Sequence, residues 1–262
     1  MTYRYSLAGL SIRLECPFEL NISEESRCFF LPEEGQTADL VLRFRCVPSL
    51  PPAPDSASYC NGRLFASDPE GEHIWFCISV SRDVFGYLFW PRGQADELFL
   101  DYTPGMEKYL SYSRVFYEFF DMETLLLRHR GLVLHSSLIR TEWGGLVFSA
   151  PPGTGKSTQA RLWQEYMGAE VLNGDRAGLR RTDSGWMAYG LPFAGSSGIY
   201  RNECADLRGI ITLGQAKENT LRPLRPAQAV TRLYPEILLH RWDKPSAEAG
   251  FDLLLTLVPC PP

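Results

Sequence analysis

The stretch from Gly145 to Gly168 constrains this chain more than any other, because it reads as a strand, a glycine-rich loop and a helix in immediate succession. Gly145, Leu146, Val147, Phe148 and Ser149 form a short apolar strand. Ala150-Pro151-Pro152-Gly153-Thr154-Gly155-Lys156-Ser157 follows, and Ser157 to Met167 has helical spacing with Ala160, Leu162, Trp163 and Tyr166 available for packing. Gly168 supplies the stop. In that context the loop reads as a phosphate-binding loop, and a nucleoside triphosphate is the first ligand to explain.

The residue types carry the chemistry. Gly153 and Gly155 can adopt backbone angles closed to other residues, so successive N–H groups can converge on phosphate oxygens at the positive end of the following helix. Pro152, Thr154 and Thr158 complete the candidate nucleotide-binding set. Lys156 is placed to reach the outer phosphates, and the Ser157 hydroxyl to take a position on Mg²⁺. Where the usual pattern begins with glycine, this chain has Ala150, whose methyl removes left-handed freedom and lowers the expected nucleotide affinity.

At 262 residues the chain can hold one large or two modest domains, and 45% hydrophobic with 22% charged residues fits a soluble globular protein. A formal net charge of −5 argues against a broad electrostatic grip on nucleic acid. The amino terminus lacks the continuous apolar core of a signal peptide, and no later run is long enough to span a membrane. Seven cysteines are scattered without a C-x-x-C pair, which suits reduced thiols in the cytoplasm rather than a zinc site or disulfide framework.

The expected division falls near residue 120, giving a β-rich module over 1–120 and a second domain over 121–262. The first half carries short β-like runs at 3–6, 10–15, 39–47, 74–80, 86–90 and 97–101, separated by Pro/Gly/Ser-rich stretches, and reads as mainly antiparallel. An amphipathic helix is expected over 113–130, with Val115, Phe116, Phe119, Phe120, Met122, Leu125 and Leu126 placed for burial. In the second half, strands are expected at 131–139, 145–149, 170–172 and 209–213, with a hairpin over 177–189. The fold class is α/β with a β-rich N-terminal region.

Asp175 ends the strand that follows the loop helix. A carboxylate there can hold Mg²⁺ or take the proton of an attacking hydroxyl, while Asn173-Gly174-Asp175 is equally good turn chemistry, and the residues alone leave both readings open. His135, between Leu134 and Ser136 on an apolar strand, reads more simply as a hydrogen-bonded core residue than as a catalyst, although its ordinary pKa suits proton transfer. A loop bearing Ser196, Ser197, Arg201 and Asn202 can contact phosphate or an acceptor, or merely connect.

With LVLHSSLI, APPGTGKST, VLNGDR, LPFAGSSGIYRN and LRGIITLGQAKENTLRPL in this order, the stretch from about Gly131 to Leu224 resembles the catalytic domain of the HPr kinase/phosphorylase family. It is most similar to the HPr kinase-like proteins found beside peptide-modifying enzymes in bacteria. The resemblance implies a P-loop core of the phosphoenolpyruvate carboxykinase-like type and ATP-dependent phosphorylation of a serine on a protein or peptide. It gives Lys156 and Ser157 the nucleotide and metal positions, Asp175 one of the family's paired acids, and His135 the histidine near the active site. The other acid corresponds to Gly174, which removes support for the reverse, phosphorolytic reaction. The chain also stops where relatives run on through another strand and a helix, so the expectation is either a truncated version or a reduced carboxyl end.

The leading expectation is a cytoplasmic peptide or protein serine kinase using ATP and Mg²⁺, with Asp175, Lys156 and His135 catalytic, Ser157 and Asp175 on the metal, no nucleic acid or membrane partner, and homo-oligomerisation left open. The alternatives are a catalytically degenerate nucleotide-binding module that presents a partner surface, and a small-molecule kinase in which Arg176, Arg201 and Arg208 converge.

Overall fold

The computed structural model describes residues 1–32, 37–60, 62–78, 80–93, 95–112, 121–193 and 195–258. These form two units, Met1–Asp121 and Met122–Pro262. Both are rich in strand, so the architecture is mixed α/β with large sheets and few helices.

The first unit is a sheet of β1 (Thr2–Leu7), β2 (Leu10–Glu15), β3 (Phe30–Leu31), β4 (Leu40–Cys46), β5 (Ser58–Cys60), β6 (Arg63–Ser67), β7 (Gly71–Cys77), β8 (Val84–Pro91) and β9 (Glu97–Tyr102). Its order is β3-β1-β2-β4-β9-β8-β7-β6-β5. Ala8 and Gly9 join β1 to β2 with φ of 49° and 75°, the left-handed pair that matches hairpin twist. Leu10, Ile12 and Leu14 are buried while Arg13 is exposed, so the alternation in the sequence directly sets the core face. The sheet is mainly antiparallel, as expected, and β4 is the exception, pairing in parallel with both β2 and β9. The strands β3, β5 and β6 were not among the expected ones. Burial pushes the Cys16 thiol up to about 11 and also raises Cys77, which keeps both as unreactive thiols.

The second unit is built around β10 (Gly131–Thr141), β11 (Gly144–Ser149), β12 (Glu170–Asn173), β13 (Arg176–Thr182), β14 (Gly185–Gly190), β15 (Cys204–Thr212) and the two-residue β16 (Ile237–Leu238). The order is β11-β15-β14-β13-β10-β12, and β11 pairs β10 again, so the hydrogen-bonded path returns to its start. β11 and β15 are parallel; the other pairings are antiparallel. The long strand β10 changes partners midway. Gly131–His135 pairs with β13, whereas Ser136–Thr141 pairs with β11.

Both faces of this sheet are covered, which explains why β10 and β11 read as continuous apolar runs instead of alternating ones. Adjacent residues serve opposite cores: Leu138 and Val147 pack with Leu233 of helix Pro226–Leu233 and Leu254 of helix Lys244–Leu257, while Ile139 and Phe148 pack with Ala160 and Trp163 of helix Lys156–Met167. Tyr166, expected to pack, is 72% exposed, because six residues carry it about 240° around the helix from Ala160. Helix Lys244–Leu257 is capped by Asp243, whose carboxylate accepts from Ser246 N at 3.0 Å.

The expected helix over 113–130 is described only in part. Val115, Phe116, Phe119 and Phe120 lie outside the described residues, and the helix that is described, Met122–Arg128, buries Met122, Leu125 and Leu126. Asp121 has φ 39°, a left-handed angle that cannot continue a right-handed helix, so this helix begins after it. Among the described residues no helix is long and apolar enough to cross a membrane.

Candidate functional site

The site lies where β10 changes partners. Three chain segments meet there: the loop leaving β11, the turn between β12 and β13, and His135 on β10 itself.

The loop has the conformation that its glycines permit. Gly153 and Gly155 have φ of 77° and 110°, and a Cβ added to either meets nothing within 4 Å. Pro152, Gly153, Ser157 and Thr158 are exposed, and Thr154 and Gly155 half-buried. The loop and the exposed start of the helix are therefore open to solvent on this side, and the orphan amides of a first helical turn are what an anion would use. Ala150 is buried and is not among the described non-glycine residues at positive φ. In this structure the backbone at position 150 does not use the left-handed angles that the methyl disfavours.

Lys156 is only 7% exposed, and its ammonium donates to Ala150 O at 2.8 Å and Pro151 O at 3.4 Å. Burial lowers its pKa, while the charges of Glu236 and Asp175 act in the opposite direction. The ammonium is thus a buried cation whose bonded partners are neutral carbonyls, with the charges of two carboxylates near it. Ser157 Oγ donates to Gly174 O at 3.3 Å, which ties the start of the helix to the β12–β13 turn.

That turn is organised by Asn173, which is fully buried. Its Nδ2 donates to Leu191 O at 2.6 Å and Phe193 O at 2.9 Å, and its Oδ1 accepts from the backbone N–H of Asp175 and Arg176, both at 2.8 Å. Asn173 thus serves the turn reading of Asn-Gly-Asp while leaving the Asp175 carboxylate free for other work. Asp175 is half-buried, with Oδ2 3.3 Å from Arg176 Nε and Oδ1 4.0 Å from His135 Nε2. Arg176 also lies over the Phe193 ring at 4.2 Å.

His135 does not behave as an isolated core histidine. Its Nδ1 lies 3.1 Å from Glu236 Oε2, and its Nε2 faces Asp175. Glu236 belongs to no motif in the sequence. It reaches the site because β16 pairs with β10, with Leu134 opposite Ile237, so the preceding residue arrives beside His135.

Of the remaining expected residues, Arg201 is paired with Glu170 and Glu203, and Arg208 with Asp206 and Trp143 O. With Arg176 at Asp175, the three arginines serve separate partners among the described residues. Ser196 and Ser197 belong to a 3₁₀ turn, Gly195–Ser197. That turn rests on the acid positions: a Cβ built on Gly174 would lie 2.0 Å from Ser197 Oγ, and one on Gly195 would lie 2.7 Å from Asp175 Cβ.

This contact gives Gly174 a physical reason, and a test. Gly174→Asp is expected to lower the melting temperature by several degrees, because the new Cβ cannot coexist with Ser197 in its present place. The double change Gly174→Asp/Ser197→Gly is expected to recover most of the loss. Equal melting temperatures for the single and double variants, measured by calorimetry, would discard the explanation.

Neither a family model nor a curated protein matches the chain.

Proposed function

We propose that the chain is an ATP-dependent phosphotransferase acting on a serine hydroxyl of a protein or peptide, built on a P-loop core of the phosphoenolpyruvate carboxykinase-like type and working in the cytoplasm. One observation supports this above the others: the buried Lys156 ammonium and exposed Ser157 of an open phosphate loop stand beside a carboxylate from the β12–β13 turn and an imidazole from β10. A lone phosphate loop supports binding; a loop with a base beside it supports transfer.

The donor set fits a magnesium nucleotide. The open loop offers backbone amides and one ammonium for a triphosphate, while the Ser157 hydroxyl and Asp175 carboxylate are the hard oxygen ligands that Mg²⁺ prefers. Bound there, Mg·ATP supplies an electrophilic phosphoryl group and part of the charge neutralisation. The protein's own residues do the rest. Lys156 balances charge on the transferred group, Asp175 orients the acceptor hydroxyl and takes its proton, and Asn173 fixes the backbone that aims Asp175. Glycine at position 174 leaves a single acid, which favours forward transfer over phosphorolysis. The negative net charge supports a partner other than nucleic acid.

The test is transfer of labelled γ-phosphate from Mg·ATP to serine-containing peptides, with alanine-substituted peptides as controls. Incorporation that depends on serine is expected. A native protein that binds Mg·ATP by calorimetry and labels no serine peptide overturns the proposal.

A further inference from the structure

His135 is held on the side away from Asp175 by an element that is itself fixed at several points. Glu236 closes a 3₁₀ turn, Tyr234–Glu236, and the next residue, Ile237, is in register with Leu134 of β10. One arginine grips this turn: Arg241 donates to Tyr234 O at 2.7 Å, Pro235 O at 3.3 Å and Ile237 O at 2.9 Å, and its guanidinium lies 5.1 Å from the Tyr234 ring centre. The Glu236 side chain is 11% exposed. Ladder register fixes one end of the turn, and a three-carbonyl clamp fixes the other.

The chemistry of the contact sets where one imidazole proton must lie. An ionised carboxylate only accepts hydrogen bonds, so the 3.1 Å contact is a bond only when Nδ1 carries a proton. With Nδ1 as the donor to Glu236, Nε2 is the nitrogen presented to Asp175. Second partners of this kind set the tautomer and orientation of functional histidines.

We propose that Glu236, on its Arg241-clamped turn, is a positioning residue that holds His135 as the Nδ1–H form and directs Nε2 at Asp175. This deepens the phosphotransferase reading and rests on it for its role in turnover. The orientation itself does not depend on that reading. Glu236 accepts from Nδ1–H, the ring cannot rotate about its Cβ–Cγ bond without breaking that bond, and the Asp175 carboxylate keeps a nitrogen neighbour of fixed direction as the acceptor hydroxyl loses its proton.

The experiment uses the full chain with ¹⁵N-labelled histidine. Four histidines are present, and His135→Asn identifies the resonances of interest. In the native protein the His135 ring nitrogens are expected to show a proton fixed at Nδ1. In Glu236→Ala, and in Arg241→Met, which leaves the carboxylate but frees its turn, they are expected to shift toward a mixture of tautomers. Glu236→Gln keeps an acceptor oxygen and is expected to retain the native pattern. In transfer assays Glu236→Ala is expected to lower kcat about tenfold with little change in KM for ATP, and Glu236→Gln to restore most of it. Unchanged ring shifts in both Glu236→Ala and Arg241→Met overturn the proposal, whatever the activity. Altered ring shifts in a protein that transfers no phosphate support the positioning role and reject the kinase reading instead.

Discussion

Lys156→Ala is expected to slow phosphoryl transfer by about 10²–10³-fold and to weaken Mg·ATP binding in parallel. The size follows from where the ammonium sits. At 7% exposure it is shielded from the water that would otherwise weaken its pull on an anion, and its present partners, Ala150 O and Pro151 O, are neutral carbonyls that a phosphate outcompetes. Stability is expected to move the other way or hardly at all. Burial already disfavours the charged form, so removing the charge relieves a cost while deleting only two hydrogen bonds. Lys156→Met keeps the length of the side chain and separates charge from packing. Calorimetric titration with Mg·ATP and a thermal melt on each variant check the prediction. Native-like affinity in both variants removes the loop from the site, whereas a collapsed melting curve assigns Lys156 to the core.

That prediction was legible in the sequence because everything it needs lies within a few consecutive residues. Strand, glycines, lysine and helix are local signals, and the described helix Lys156–Met167 begins one residue from the expected start. The strands around it were legible for the same reason, as apolar runs of strand length. The partner change within β10 was not. It depends on which edge of the strand each half offers to β11, β12, β13 and β16, and no property of GLVLHSSLI alone encodes that.

Glu236 shows the limit most sharply. It lies 101 residues beyond His135 and is delivered by a two-residue strand, too short to leave a periodic pattern. Asn173 was legible as a turn residue, but its hold on Leu191 O and Phe193 O required knowing that a later loop passes over it. The two carboxyl-terminal helices carry local signals in the sequence. Pro226 opens one, and Asp243 caps the other three residues before Ser246. In the first unit, the dipeptide Asn61-Gly62 is a strong two-residue hairpin signal in the sequence, and the strands on either side of it pair with Cys60 opposite Arg63.

Asp175→Asn carries the other large expected effect: a fall in kcat of about 10²–10⁴-fold. Asparagine keeps the volume and one oxygen, and the backbone N–H of residue 175 still bonds to Asn173, so the turn and its packing beneath Gly195 are expected to survive. What is lost is the negative charge and the capacity to take a proton. The Arg176 guanidinium, 3.3 Å away, loses its ion-pair partner but keeps the Phe193 ring, so the change in stability is expected to be small. Because the same carboxylate is a proposed magnesium ligand, KM for Mg·ATP is expected to rise as well, and raising free Mg²⁺ is expected to recover KM without recovering kcat. That split isolates the proton-accepting role: a rate fully restored by magnesium reduces Asp175 to a metal ligand. A native protein with tight nucleotide binding, no transfer and ATP-dependent partner capture, unaltered by Asp175→Asn, moves the chain to a binding module, because charge at residue 175 then has no reaction to serve.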